Sequence, residues 1–299
     1  VFLILIGIFV GISSGLLGVG GGFLMVPLQF FLLSSIGIES DTALMISLGT
    51  SLAVIIPTSI SSIYKHNKFS DYTNYSVKIG IILGIFGILG GFLGGLLSTH
   101  IQGDLIKTLL GFCLIGISLI LISDKLYKNN ADRSLNTFSI NFNEFDINCN
   151  NFNNSNIYLM AFLGFLGVLG VLVGLSSGMF GIGGGLFIIP ILIFIFKFSM
   201  KESTAISSIF ISLTAIGSLI PYLLSNQVTN IPLVFGYVYL INFIVIAIFS
   251  IPFSQVGTIL SNKINETPLR RIFAILMIYM GLRLLDFDII QIIFNLIAI

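Results

Sequence analysis

Long apolar stretches alternate with short polar ones along this chain, and the apolar stretches fall near the roughly 20 residues that cross a bilayer. They lie at residues 1–32, 42–63, 77–99, 105–123, 157–196, 203–224, 232–260 and 269–285. This pattern predicts about eight transmembrane helices. One polar stretch is long. Residues 124–156 are rich in Asn and hold too little apolar surface to order themselves, so they read as a flexible linker. The final apolar run, 289–299, is too short to span and reads as interfacial.

Two of the apolar stretches are interrupted in the same way. Residues 11–27 read GISSGLLGVGGGFLMVP, and residues 174–190 read GLSSGMFGIGGGLFIIP. Their Gly, Ser and Pro positions recur at a constant offset of 163, from Gly11 and Gly174 to Pro27 and Pro190. Thr42-Ala43 matches Thr204-Ala205 at offset 162, and Lys107 matches Arg270 at offset 163. The chain is therefore expected to be an all-α polytopic membrane protein built as two four-helix repeats, each with a glycine-broken first helix. Repeat 1 takes residues 1–123, the linker 124–156, repeat 2 residues 157–285, and a C-terminal segment 286–299. By comparison with the second copy, the first helix is expected to lack some residues at its start. An even number of spans per repeat leaves the copies in one orientation; a re-entrant glycine segment changes the parity and inverts them.

Composition removes several function classes. Of 299 residues, 56% are hydrophobic and 8% charged, with mean hydropathy +1.10. A soluble domain is nearer a quarter charged, so an ordinary aqueous surface is excluded. A net charge of +1 excludes a strongly basic nucleic-acid binder. Cys113 lies in an apolar run and Cys149 in a polar one, which supports no disulfide framework. Gly18-Val19-Gly20 lacks the strand and acidic partner of a dinucleotide fold, and no P-loop sequence is present. Lys and Arg divide almost evenly between the two sides; the first loops favour termini in the cytoplasm.

Adjacent glycines weaken a helix, so Gly20-Gly21-Gly22 and Gly183-Gly184-Gly185 are the expected unwinding points. Unwound backbone in a bilayer is tolerated only in protein or facing a watery cavity. The N–H groups freed at a half-helix N-terminus favour an anion. Ser14 and Ser177 add hydroxyls before each break, as do Ser47, Thr50, Ser208 and Ser212 on the second helix of each repeat. The candidate substrate-binding set is therefore Ser14, Gly18, Gly20, Gly21, Gly22, Ser47, Thr50, Ser177, Gly181, Gly183, Gly184, Gly185, Ser208 and Ser212. Competing readings apply to some of these residue types. Hydroxyls in membrane helices bond back to the preceding turn or join helices. Glycines spaced by four, such as Gly7, Gly11 and Gly15 or Gly170, Gly174 and Gly178, let helices pack closely. His66, with Lys65 and Lys68, reads as a solvated loop at a membrane edge. A serine protease would need one Ser beside a His base; here the serine motif is duplicated and both histidines lie at edges. No catalytic residue, metal or cofactor is assigned.

The doubled G-x-x-S-G-x-x-G-x-G-G-G-x-x-x-x-P segment, the Ala43 and Ser47 pattern and the internal duplication resemble the sulfite exporter TauE/SafE family, over nearly the whole chain outside 124–156. The resemblance implies a multi-pass cell-membrane permease of seven to nine spans. It implies small anionic substrates: sulfite, sulfonates such as sulfoacetate, or other organosulfur or organic acids. By position it carries the family motif onto Ser14, Gly15, Gly18, Gly20, Gly21, Gly22 and Pro27, and onto Ser177, Gly178, Gly181, Gly183, Gly184, Gly185 and Pro190. Lys68 or Phe69 stands where members often have Gly after the His that ends the second helix, a departure at the pathway mouth. The expected partners are a small anion and the lipid bilayer, with no nucleic acid and with homo-oligomerisation left open. The expected mechanism is alternating access with substrate at the broken helices. An anion channel or a permease for an unrelated organic acid is the alternative, and an intramembrane serine protease ranks last.

Overall fold

A computed structural model describes residues 2–68, 74–122, 154–196, 198, 200–225, 231–261 and 266–285. Its helices are α1 (Phe2–Leu17), α2 (Gly22–Ser35), α3 (Ser40–Lys68), α4 (Asn74–His100), α5 (Gly103–Ile122), α6 (Asn154–Phe180), α7 (Gly185–Phe194), α8 (Met200–Leu224), α9 (Leu240–Ser261) and α10 (Glu266–Leu284). Six of them, α3, α4, α5, α6, α8 and α9, are long and apolar enough to cross a membrane. The apolar helices α1 and α2 and the apolar end of α10, Ala274–Leu284, are shorter.

Helix directions follow from which residues meet. Gly7 abuts Ile246 and Phe249, Gly11 abuts Ser250 and Phe253, and Gly15 abuts Ser254 and Thr258, so α1 runs parallel to α9. Thr50 meets Tyr239 and Ser61 meets Ile251, so α3 is parallel to both. On the other side, Gly170 meets Leu83 and Gly174 meets Gly87, so α6 runs parallel to α4. Gly80 meets Ile209 and Gly95 meets Pro221, which makes α8 parallel to them. Ser98, near the end of α4, reaches Met45, near the start of α3, so the two triplets run in opposite directions.

These directions settle what the glycines do to the chain. Because α1 and α3 are parallel, α2 must run back between them; α7 must likewise run back between α6 and α8. Phe196, just past α7, accordingly packs against Phe162 and Phe165 near the start of α6, with ring centroids 6.2 Å apart in each case. The stretches 1–32 and 157–196 are therefore helical hairpins that reverse at the glycines. Their first helices, α1 and α6, run in opposite directions.

The packing also crosses between the chain's halves. α4 lies between α6 and α8, and α1 lies against α9. Small residues make the contacts close: a side chain on Gly90 or Gly94 would meet the carbonyl oxygen of Val171 or Leu175, while Gly87, Gly91 and Gly95 face Thr214, Ser218 and Pro221. The glycines spaced by four are thus packing residues on both faces of α4.

Two boundaries differ from the hydropathy pattern. Residues 231–239 are not helical. Val234–Phe235 (β1) and Val238–Tyr239 (β2) form an antiparallel hairpin, and the helix starts only at Leu240. Pro232 and a left-handed Gly236 (φ 56°) punctuate a segment that hydropathy alone reads as membrane helix. The hairpin is inserted between helices, with Tyr237 N–H donating to the Tyr222 carbonyl at 2.9 Å and Tyr239 N–H donating to Thr50 Oγ1 at 3.0 Å. Burial pushes the Tyr237 phenol above its ordinary pKa, partly offset by a hydrogen bond with Ser225. At the other boundary, α6 starts at Asn154, inside the polar stretch. Residues 124–153 and 286–299 lie outside the described residues.

Candidate functional site

The two glycine turns have the same backbone. Gly18, Gly20 and Gly21 take φ of 64°, 78° and 72°; Gly181, Gly183 and Gly184 take 63°, 82° and 77°. Such left-handed geometry is open to glycine and costs other residues roughly 1–2 kcal/mol each. Each turn is anchored to the helix before it: Gly18 N–H donates to the Ser14 carbonyl at 2.9 Å and Gly181 N–H to the Ser177 carbonyl at 3.0 Å. Each ends at a left-handed N-cap, Gly21 for α2 and Gly184 for α7, and neither cap supplies a side-chain hydrogen bond.

The turns meet in the interior, and every residue from Gly18 to Gly22 and from Gly181 to Gly185 is buried. A Cβ on Gly22 would lie 2.7 Å from Ile182 Cα, and a Cβ on Gly185 would lie 2.7 Å from Val19 Cα. The first residue of each half-helix therefore abuts the opposite turn. Ile55 of α3 and Ile211 of α8 cover Gly20 and Gly183 together: a Cβ added at Gly20 would lie 3.4 Å from Ile55 and 3.0 Å from Ile211, and one at Gly183 would lie 3.2 and 2.9 Å from them.

Two hydroxyls tie the turns to the crossing helices. Ser207 Oγ donates to the Gly18 carbonyl at 2.7 Å. Ser51 Oγ lies 2.5 Å from the Gly181 carbonyl and 2.7 Å from the Leu48 carbonyl, so its single proton is shared. Neither serine is in the candidate set. The signal for them is a second offset: Ser51 and Ser207, Ile55 and Ile211, Thr58 and Thr214, and Ser62 and Ser218 each stand 156 apart. The Thr42-Ala43 match at offset 162 does not describe the packing, since the contact facing Gly18 is Thr204 and the one facing Gly181 is Leu48. Repeat 2 is shorter between turn and crossing helix, consistent with an α7 of 10 residues against 14 for α2.

The other candidates divide. Ser14 and Ser177 are buried beside the turns, and Ser177 Oγ has no hydrogen-bond partner among the described residues. Ser47, Ser208 and Ser212 bond back to the carbonyls of Ala43, Thr204 and Ile209. Thr50 is used by the β1–β2 hairpin. His66 is not on a solvated loop: it is buried 1% exposed within α3, which continues to Lys68. Its counterpart at offset 156 is Tyr222, whose hydroxyl donates to the Gly178 carbonyl at 2.8 Å. Among the described residues no group of three His, Cys, Asp or Glu could hold a metal ion.

Ser207→Ala should leave the buried Gly18 carbonyl short of a donor, at a cost of about 1–3 kcal/mol. Ser51→Ala should cost less, because its proton is already divided between two acceptors. Thermal melting of the two purified variants checks the order; equal shifts would contradict it.

Comparison with known proteins finds membrane transporters over nearly the whole chain. The family model described as Sulfite exporter TauE/SafE matches residues 3–284. A protein named as a probable membrane transporter from Methanocaldococcus jannaschii is 33% identical over 290 residues, covering 95% of this chain and 94% of its own. The probable membrane transporter protein YunE of Bacillus subtilis is 26% identical over 289 residues, covering 95% and 97%. No solved structure matches.

Proposed function

The chain belongs to the sulfite exporter TauE/SafE family and is a multi-pass membrane transporter, and from that premise we propose that it carries small anions, sulfite, sulfonates or related organic acids, past the two glycine turns. One observation carries this reading. The N-termini of α2 and α7, each without a side-chain cap, abut the opposite turn in the buried centre. Each terminus carries roughly half a positive charge. Two such ends in a low-dielectric interior repel one another, and a single anion between them offsets both. The candidate serines Ser14 and Ser177 lie beside it. A cation would meet the wrong sign.

The duplication supports alternating access. With re-entrant hairpins and opposed α1 and α6, the two sequence repeats read as inverted copies, the arrangement that lets one unit open to each side in turn. The bodies that move are not the two halves of the sequence. α1, α3 and α9 form one parallel set and α4, α6 and α8 the other, and each set draws on both halves. Motion between the sets would pass through Ile55, Ile211 and the turns.

The test is uptake of radiolabelled sulfite and sulfoacetate into liposomes holding the purified protein, with and without a pH gradient. Saturable uptake without an electrical current supports a carrier. Uptake that carries current without saturating would replace it with a channel, and no uptake of either anion by folded protein would remove the sulfur-anion assignment.

A further inference from the structure

The half-helix α2 carries one polar residue that the anion site does not use. Gln29 is fully buried, 0% exposed. Its nearest polar partner is Asn242, in the first turn of α9 and itself 2% exposed. Asn242 Nδ2 donates to Gln29 Oε1 at 3.4 Å, the long end of a hydrogen bond. Gln29 Nε2 has no partner among the described residues. Turning both amides over exchanges the atom left unsatisfied but does not satisfy it.

The position of Gln29 gives that orphan a use. It follows Gly22 by seven residues, two helical turns, so it lies on the same face of α2 about 10 Å along the axis. That face meets the glycine turn. The equivalent residue at offset 163 is Leu192 of α7, also fully buried and apolar. One side of the turns is thus provided with two amides and the other is not. A pair kept only to clamp α2 to α9 would be expected to satisfy its buried amide, since an unpaired one costs about 1–3 kcal/mol.

We propose that Gln29 and Asn242 are a specificity site for a second oxygen function, a hydroxyl or carboxylate, on an organic anion whose charged head passes the glycine turns. The proposal rests on the anion-carrier reading. A hydroxyl suits the site whichever way the amides point, because it both donates and accepts. A ligand without that oxygen leaves the amide unpaired and is discriminated against.

The experiment is competition against labelled sulfite uptake in liposomes, using 2-hydroxyethanesulfonate and ethanesulfonate, which carry the same charge and differ by one oxygen. In the wild type, 2-hydroxyethanesulfonate should compete about 10-fold more effectively. In Gln29→Met, close in volume and without donors, that ratio should fall to near one. Asn242→Ser, read the same way, serves if Gln29→Met is not recovered folded. A wild type that treats the two alike overturns the proposal. So does a Gln29→Met protein that keeps the wild-type ratio while melting lower, which would make the pair a clamp. If the folded wild type takes up neither sulfite nor sulfoacetate, the sulfur-anion reading falls and this site falls with it; uptake without discrimination sinks the site alone.

Discussion

Replacing Gly178 by alanine is expected to destabilise the protein by roughly 3 kcal/mol or more, at the upper end for overpacking. A methyl group there would run into the Gly91 carbonyl oxygen and lie 2.6 Å from the Gly95 backbone nitrogen. Both obstacles are α4 backbone, so no rotamer change relieves the contact, and α6 must move away. The Gly178 carbonyl also accepts the Tyr222 hydroxyl, which would be displaced with it. The natural control is Gly116 of α5, where nothing lies within 4 Å of an added Cβ. Gly116→Ala should be neutral or stabilising, by up to about 1 kcal/mol from helix propensity. Thermal melting in detergent, with size-exclusion profiles, checks both. Equal stability of the two variants would show that α4 and α6 do not pack through these glycines.

How much of this could be read in advance depends on what hydropathy encodes. Gly7, Gly11 and Gly15, and Gly170, Gly174 and Gly178, are legible as packing surfaces because their spacing is a helix property that survives in sequence. Gly20-Gly21-Gly22 and Gly183-Gly184-Gly185 are legible as interruptions. Whether the chain continues or reverses there is not. That depends on which residue meets which in space, as Phe196 does with Phe162. The β1–β2 hairpin is hidden for a simpler reason: Val234, Phe235, Val238 and Tyr239 are as apolar as any membrane helix, and only Pro232 and Gly236 interrupt them. Ser51 and Ser207 are masked by neighbours of equal chemistry. Ser47 and Ser208 look the same in sequence but spend their protons on the preceding turn.

The same contrast makes the turns the place to test function. Gly21 and Gly184 share one conformation, φ 72° and 77°, and one role as N-cap of a half-helix. Alanine at either position meets the same left-handed strain, roughly 1–2 kcal/mol. Their surroundings differ. At Gly21 the added Cβ would lie 2.7 Å from the Val10 carbonyl oxygen, part of the α1 backbone. At Gly184 the nearest atoms belong to side chains, Phe210 Cε1 at 2.9 Å and Ser177 Cβ at 3.2 Å. The Phe210 ring can turn; the α1 backbone cannot give without loosening its contact with α9. Gly21→Ala is therefore expected to abolish anion uptake, and Gly184→Ala to reduce it about 10-fold while leaving the protein recoverable, the fold-change that follows from about 1.4 kcal/mol of strain at the site. Initial rates of sulfite uptake, normalised to folded protein in the liposomes, decide it. Wild-type rates in both variants would mean that the half-helix N-termini are not where the anion passes. Equal losses would mean that α1 yields as readily as a side chain, and that the turn, rather than its neighbours, sets the cost.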